Sequence, residues 1–365
     1  MAPQRQRLVA LDLPGGDEFV RRLQEIWDAG DAAFVVDQRL PVAAKQQLCT
    51  AMRVGDPGES GDALVVATSG STGDPKGVVL THDAAAASAA ATSDRLGVTA
   101  DDHWLACLPL SHVGGLSVVT RALHTGNRLT VHDCFDAAAV SSSGATLVSL
   151  VSTALRRIDA SLFRTIVLGG SRPPADRPAN TVTTYGMTET GSGVVYDGRP
   201  LDGVDVRIDE SGEIHLRGPM LLRCYRSGHD PKDADGWLAT GDLGRWLDDG
   251  RLHVDGRVGD MIITGGENVW PDAVESLLRT HAGIADVMVY GVADDEWGQR
   301  VHAQVVAGDD APTLDTLRAH VKETAPAFMA PRSMELVAAI PRTMLGKPRR
   351  PQPAEPATPA PPSIT

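Results

Sequence analysis

Residues 68–78 read Thr-Ser-Gly-Ser-Thr-Gly-Asp-Pro-Lys-Gly-Val and follow the apolar run Ala-Leu-Val-Val-Ala at 63–67. No other stretch constrains the chain as tightly. Gly70, Gly73 and Gly77 are expected in positive-φ conformations that turn successive backbone N–H groups toward one anion, while Thr68, Ser69, Ser71 and Thr72 add hydroxyl donors and Lys76 a charge. Such a set suits a polyphosphate. The plain alternative is a flexible loop between a strand and a helix, and the density of donors argues against it. A Walker A loop needs glycine before its lysine and a hydroxyl after it, whereas Lys76 lies between Pro75 and Gly77. A P-loop NTPase is therefore disfavoured.

The other bounds come from size and charge. With 365 residues and 42% hydrophobic content, the chain is long for a single core and suggests two domains. A formal charge of −13 and a pI near 5.2 disfavour nucleic acid or an anionic membrane as partner. Cys49, Cys107, Cys134 and Cys224 form no C-x-x-C pair, which suits neither a disulfide framework nor a zinc site and fits a reducing cytoplasm. The apolar segment after Arg5 and Arg7 is broken by Asp12 and Pro14, so no signal peptide is expected, and no stretch approaches the length of a membrane span.

Val-, Ile- and Leu-rich runs at 32–36, 63–67, 128–131, 146–150 and 165–168 alternate with helix-like, alanine-rich stretches such as 83–92. That alternation predicts an α/β fold with buried strands. After residue 200 shorter alternating segments at 204–208 and 213–217, with glycine-rich turns, predict a β-rich subdomain. From about residue 260 the pattern is strand (261–263), helix (271–280), strand (287–292), strand (301–306), helix (314–322), strand (333–337), a small α+β domain. The last 18 residues, from Pro348, carry seven prolines and almost no large apolar side chain, and a disordered tail is expected there.

The loop at 68–78 resembles the signature loop of the adenylate-forming enzymes, the superfamily of acyl-CoA synthetases, luciferases and peptide-synthetase adenylation domains. Five further segments match in the family's order: 108–115 (LPLSHVGG), 185–190 (YGMTET), 240–242 (TGD), 257–275 (RVGDMIITGGENVWPDAVE) and 341–347 (PRTMLGK). The resemblance covers residues 68–347. It implies that family's fold, a large N-terminal α/β domain with a β-rich subdomain at 1–258 and a small mobile α+β domain at 259–347, followed by the tail at 348–365. Most members reach the phosphate loop after a longer N-terminal region, so the early subdomain is expected to be lost or trimmed here.

The resemblance also implies two half-reactions, with ATP, Mg²⁺ and CoA as participants. A carboxylate attacks the α-phosphorus of ATP, giving an acyl-adenylate and pyrophosphate; a thiol then displaces AMP. It implies that Lys347 neutralises charge in the first step, that Thr68, Ser69, Gly70, Ser71, Thr72, Lys76 and Thr188 hold phosphates, and that Glu189 is the metal ligand. Tyr185 is expected on the adenine, with Gly169 and Gly170 permitting close approach, and Asp242 with Arg257 on the ribose. His112 is expected to screen the acyl site, which Arg121, Ser171, Thr190 and Gly191 help to line; Gly265 and Gly266 border the CoA channel, and Gly259 is the hinge. Read without the resemblance, His112 is an ordinary core or surface histidine, and periodicity leaves open whether Arg121 faces inward or toward water.

Within the superfamily the chain is most similar to the o-succinylbenzoate–CoA ligases of menaquinone biosynthesis, in their short actinobacterial form. Compact length, the hinge strand at 265–271 and Arg121 carry this, because a dicarboxylate activated at one end requires a cation at the other. The rivals are a ligase for another aryl or medium-chain acid, an adenylation enzyme loading a carrier protein, and a non-catalytic nucleotide-binding protein on the same fold. The partners expected are small molecules. A homodimer is the commonest self-association, and the sequence leaves it open.

Overall fold

The computed structural model describes residues 6–69, 75–170, 172–174, 176–342 and 348–351. The chain divides into two compact units, one formed by Met1–Thr240 with Gly244–Val254, the other by Gly241–Leu243 with Asp255–Thr365.

In the first unit β1 (Leu8–Leu11), β2 (Ala32–Val35) and β3 (Asp62–Ser69) run parallel, and β4 (Pro75–Thr81) folds back antiparallel onto β3, with Cys224–Tyr225 beside it. Helices α1 (Asp17–Asp28) and α2 (Val42–Ala51) join the early strands. Every residue from Ala63 to Ala67 is buried, as a continuous apolar run requires when both faces of a sheet are covered. A second sheet takes the order β10 (Gly193–Tyr196), β9 (Thr181–Gly186), β8 (Thr165–Leu168), β7 (Leu147–Leu150), β5 (His103–Ala106), β6 (Arg128–Val131), with Arg199–Pro200 at its outer edge. From β9 to β6 it is parallel. Two helices pack together beside these sheets. One is α3 (His82–Leu96), opened by the Thr81 hydroxyl accepting from the Ala84 N–H and closed by Gly97 in the left-handed region; the other is α4 (Val113–Thr125). The β-rich segment expected after residue 200 is a four-stranded sheet of 205–208, 213–217, 238–246 and 252–257, of which 241–243 and 255–257 are counted with the second unit.

The second unit has its own core. Strands Ile262–Thr264, Glu267–Val269, Ile284–Asp294, Gly298–Ala307 and Ser333–Leu336 form one sheet, and helices Pro271–Leu278 and Leu314–Thr324 bury Val274, Leu278, Leu317 and Val321 against it. The strand and helix pattern read from the sequence is present in both units, with ends shifted by a few residues.

The tail expectation needs correction at its start. Residues 348–351 are ordered into the second unit: Arg342 and Pro348 form an antiparallel bridge, and the Arg349 N–H donates to the Pro341 carbonyl at 2.8 Å. Arg350 donates to Asp260 at 2.7 Å, Asp272 at 2.6 Å and Glu275 at 2.8 Å, and these ion pairs raise its guanidinium further above the usual arginine range against the opposing effect of burial. Its ordering is held by charge pairing rather than apolar burial, which is what a count of apolar side chains misses.

Candidate active site

The described residues on either side of the expected phosphate loop belong to a hairpin. In the β3–β4 register Thr68 faces Lys76 and Ser69 faces Pro75, so the donors expected from the sequence flank one strand-to-strand connection. Gly70, Ser71 and Thr72 lie outside the described residues. Gly77 corrects the sequence reading: it is an interior residue of β4 and not a positive-φ turn residue. A side chain there would meet Met52 Sδ at 2.7 Å and Arg226 Cβ at 2.8 Å, so glycine is required by packing.

Lys76 extends its ammonium over the Tyr225 ring, 5.2 Å from the centroid, and the Tyr225 hydroxyl donates to Glu189 Oε1 at 2.9 Å. The lysine and the carboxylate are thus gathered on one tyrosine. Sequence reasoning missed Tyr225, which stands in no glycine- or charge-patterned segment. Glu189 lies in the short turn Thr188–Thr190, whose backbone is pinned by the Leu222 N–H donating to the Glu189 carbonyl at 2.7 Å. A fixed carboxylate beside the β3–β4 hairpin fits Mg²⁺, which takes one or two carboxylates together with substrate phosphates. The trio Asp209, Glu213 and His215 is a different case. The Asp209 carboxylate accepts from the Ser211 hydroxyl, His215 and the Glu213 N–H, which hold it well below the usual carboxylate range and close a strand turn.

Strand β8 ends at Gly169–Gly170, where a Cβ on Gly169 would meet Thr184 Oγ1 of β9 at 2.7 Å. Tyr185 is the penultimate residue of that neighbouring strand, half-buried against the core, so the two glycines and the tyrosine belong to adjacent strand ends. Ser171 lies outside the described residues. Thr190, expected in the acyl site, is fully buried, with its hydroxyl donating to the Ser192 carbonyl at 2.6 Å and accepting from the Met187 N–H at 2.9 Å. Its polar atom is occupied inside the turn, so its role is to hold the loop.

Beside this turn is a narrow cleft of about 20 Å³ between α3 and α4, lined by Val113, Leu116, Ser117, Thr120 and Arg121 from one face of α4, together with Gly191 and Met220. The spacing i, i+3, i+4, i+7, i+8 is a single helical stripe. Arg121 is 2% exposed, which removes the wet-face alternative. Its guanidinium carbon lies 4.7 Å from the Trp104 ring centroid and Nη2 donates to Ser192 Oγ at 3.1 Å. Among the described residues Nε and Nη1 have no hydrogen-bond partner, and burial pushes the group below the usual arginine range. A buried cation with unmatched donors in a cleft is arranged for an anion. His112 is the residue before α4, about 13 Å along the helix axis from Arg121. Its Nε2 is 3.1 Å from Arg39 Nη2, and Arg39 grips the buried Asp37. Burial acts to raise the Asp37 carboxyl, but the Arg39 donors outweigh it and hold it at about 2. No motif pointed to Asp37 or Arg39.

In the second unit the two ribose candidates meet directly, Arg257 Nε donating to Asp242 Oδ1 at 3.0 Å. Gly259 lies in the short turn Val258–Asp260, and a Cβ there would meet nothing within 4 Å. Gly265 and Gly266 form the two-residue turn between Ile262–Thr264 and Glu267–Val269, at φ of +61° and +85°. A Cβ on Gly265 would lie 2.6 Å from the Trp297 ring. Lys347 lies outside the described residues.

The AMP-binding enzyme family model matches residues 18–226, and the model for the AMP-binding enzyme C-terminal domain matches residues 273–347. The chain is 39% identical to a probable 2-succinylbenzoate–CoA ligase of Mycobacterium tuberculosis, over 93% of this chain and 95% of that protein. The chain belongs to the AMP-binding enzyme family. Two solved structures of o-succinylbenzoate CoA synthetase from Bacillus subtilis are similar throughout. The complex with the acyl-adenylate intermediate OSB-AMP has a TM-score of 0.86 at 26% identity, covering 95% of this chain and 88% of that one. The complex with ATP and magnesium ion has a TM-score of 0.83 at 25% identity, covering 95% and 89%. For an AMP-binding enzyme the placement is informative: Lys76, Glu189, Tyr225, Arg121 and His112 fall inside the first match and Lys347 ends the second. Asp242, Arg257, Gly259, Gly265 and Gly266 occupy the stretch between the two matches.

Proposed function

We propose that this AMP-binding enzyme is an ATP-dependent acid–thiol ligase that joins o-succinylbenzoate to CoA through an acyl-adenylate, in menaquinone biosynthesis. The relatives carrying that activity in their names support it, and so does the OSB-AMP complex among the similar structures. The observation that carries the choice of acid is Arg121, a buried guanidinium in the cleft with two nitrogens unmatched among the described residues.

The acid is ionised at neutral pH and needs no base. Its carboxylate oxygen bonds to the α-phosphorus as the bond to pyrophosphate breaks. The CoA sulfur then attacks the acyl carbonyl, the bond to AMP breaks and the thiol proton passes to solvent. Catalysis of the first step rests on placement and charge neutralisation. In this reading Lys76 and the hydroxyls of the hairpin hold the phosphates, Lys347 bridges carboxylate and α-phosphate, and Tyr185 and Gly169–Gly170 receive the adenine. Asp242 and Arg257 take the ribose. Glu189, oriented by Tyr225, would hold Mg²⁺, which supplies neutralisation of phosphate charge when bound. Arg121 holds the carboxylate that is not activated, at the far end of the α4 stripe from His112, and Gly191 leaves room for the ring.

Residues 1–258 supply the ATP and acid sites, and residues 259–347 supply Lys347 with the Gly265–Gly266 turn for CoA, hinged at Gly259. A cytoplasmic location agrees with four free cysteines, and no described helix is long and apolar enough to cross a membrane. Self-association, if present, is expected as a homodimer.

The test is CoA- and acid-dependent release of pyrophosphate from ATP with o-succinylbenzoate, benzoate, a medium-chain fatty acid and a set of amino acids. Strong preference for o-succinylbenzoate is expected. Preference for a monocarboxylate would keep the adenylation chemistry and remove both the pathway and the role of Arg121.

A further inference from the structure

Three side chains meet at the start of α4 in an arrangement that the reaction outlined above does not use. Asp37, in the turn leaving β2, is 2% exposed. Arg39 holds it on two edges, Nε to Oδ1 at 2.9 Å and Nη2 to Oδ2 at 2.5 Å, and the Arg39 backbone N–H adds a third donor to Oδ1 at 3.0 Å. The same Nη2 reaches His112 Nε2 at 3.1 Å. Guanidinium nitrogens are donors only, so Nε2 is the acceptor and carries no proton. The ring proton is therefore on Nδ1.

We propose that the Asp37–Arg39 pair is a positioning device for His112, fixing the imidazole as its neutral Nδ1–H tautomer beside the acyl cleft, so that the ring serves as a hydrogen-bond donor and not as a proton acceptor. The geometry is over-determined in a way that a chance surface contact is not. Arg39 cannot swing from His112 without loosening a fork onto a buried carboxylate, and a buried carboxylate that loses its cation is strongly disfavoured. Protonating Nε2 would set an imidazolium N–H against a guanidinium N–H, two like charges at hydrogen-bond distance. The pair is carried by the segment before the phosphate hairpin and acts on the helix whose next residue, Val113, lines the cleft. The early segment thereby acquires a part in the acid site, and this kinetic consequence rests on the reading of His112 as an acyl-site residue.

The experiment uses the full chain with ¹⁵N-labelled histidine, the His112 ring signals being assigned by their loss in His112→Ala. The decisive variant is Arg39→Lys, which keeps a cation for Asp37 but lacks the fork needed to serve both partners. In the wild type the His112 ring is expected as the Nδ1–H tautomer. In Arg39→Lys it is expected to shift toward a mixture with Nε2–H, while KM for the acid rises about tenfold and KM for ATP holds, the effect of one charge-assisted hydrogen bond. The change should vanish when Arg39→Lys is combined with His112→Ala. An Nε2–H tautomer in the wild type, a ring unaffected by Arg39→Lys, or a KM effect that adds in full to that of His112→Ala would overturn the proposal. A His112→Ala variant with unaltered kinetics would instead overturn the acyl-site reading, and the tautomer measurement then decides the role of Arg39 by itself.

Discussion

Arg121, proposed to hold the free carboxylate of the acid, is placed where it opposes the stability of the protein that carries it. A guanidinium with one hydrogen bond and one aromatic face in an apolar cleft is poorly compensated for its lost hydration. Arg121→Met keeps the length and removes the charge. The expected outcome is a KM for o-succinylbenzoate raised roughly 10–100-fold, from loss of a hydrogen-bonded charge pair with the substrate. KM for ATP should be unchanged and the melting temperature equal to or above that of the parent, since an apolar replacement for a buried ion is often neutral or stabilising. Steady-state kinetics and thermal melts check both halves. A lowered melting temperature with an unchanged KM would make Arg121 a structural residue. Lys347→Ala tests the other end of the chemistry. Adenylate formation should fall on the order of 100-fold or more, as expected when a transition-state charge partner is removed, while thioester formation from preformed adenylate is largely spared. Equal loss in both half-reactions would remove the assigned role. At this scale the sequence was informative where a residue sits in an ordered motif, as Glu189 and Lys76 do. It was silent where the partner comes from elsewhere in the chain. Tyr225 lies 36 residues from Glu189, Arg39 lies 73 from His112, and Thr190 looked like a pocket residue because the spacing of YGMTET does not reveal that its hydroxyl closes the turn.

At the level of elements, alternation and apolar runs were enough to place the strands, because buried parallel strands must be continuously apolar and their lengths are set by the sheet they cross. The β3–β4 hairpin marks the limit. Its glycines look alike in the sequence, yet Gly77 is inside a strand and faces Met52 and Arg226, while Gly265 and Gly266 occupy a true positive-φ turn. Arg226 itself donates to the carbonyls of Met52, Arg53, Asp56 and Pro57, so the backbone behind Gly77 has little freedom to retreat. Gly77→Ala is therefore expected to destabilise the protein by about 1–3 kcal/mol through overpacking. Because Thr68 and Lys76 face each other next to this position, KM for ATP should rise with it while KM for the acid changes less. Urea unfolding together with kinetics in which each substrate is varied checks this. An alanine variant with parental stability would show that Met52 and Val65 can repack and that the glycine answers only to the loop.

For the molecule as a whole, the change of texture near residues 200 and 260 correctly signalled a β-rich segment and a small α+β unit, because each core needs its own set of apolar runs. The end of the small unit was not legible, since the carboxylates that hold Arg350 lie 75 to 90 residues away in sequence and carry no periodic signal. Glu275 is 3% exposed and also receives Arg279 at 2.9 Å and the Val289 N–H at 2.9 Å, so Arg350 is one of several groups that stabilise this buried charge. Separate cores, one containing Val274, Val289 and Val305 and the others drawn from the first unit, predict two unfolding transitions in calorimetry. Arg350→Ala removes the cation that pairs Glu275 with Asp260 and Asp272, which costs about 2–3 kcal/mol, less than the full penalty for stranding a buried ion because Arg279 remains. In a unit of this size such a loss lowers the melting temperature by roughly 10 °C. The shift should appear in one transition only. If Arg350→Ala moves both transitions together, the two units unfold as a single cooperative block and the separate-core argument is wrong. If it moves neither, the Arg350 pairs contribute nothing measurable and the chain beyond Pro348 is free of the fold, as its proline content alone would suggest.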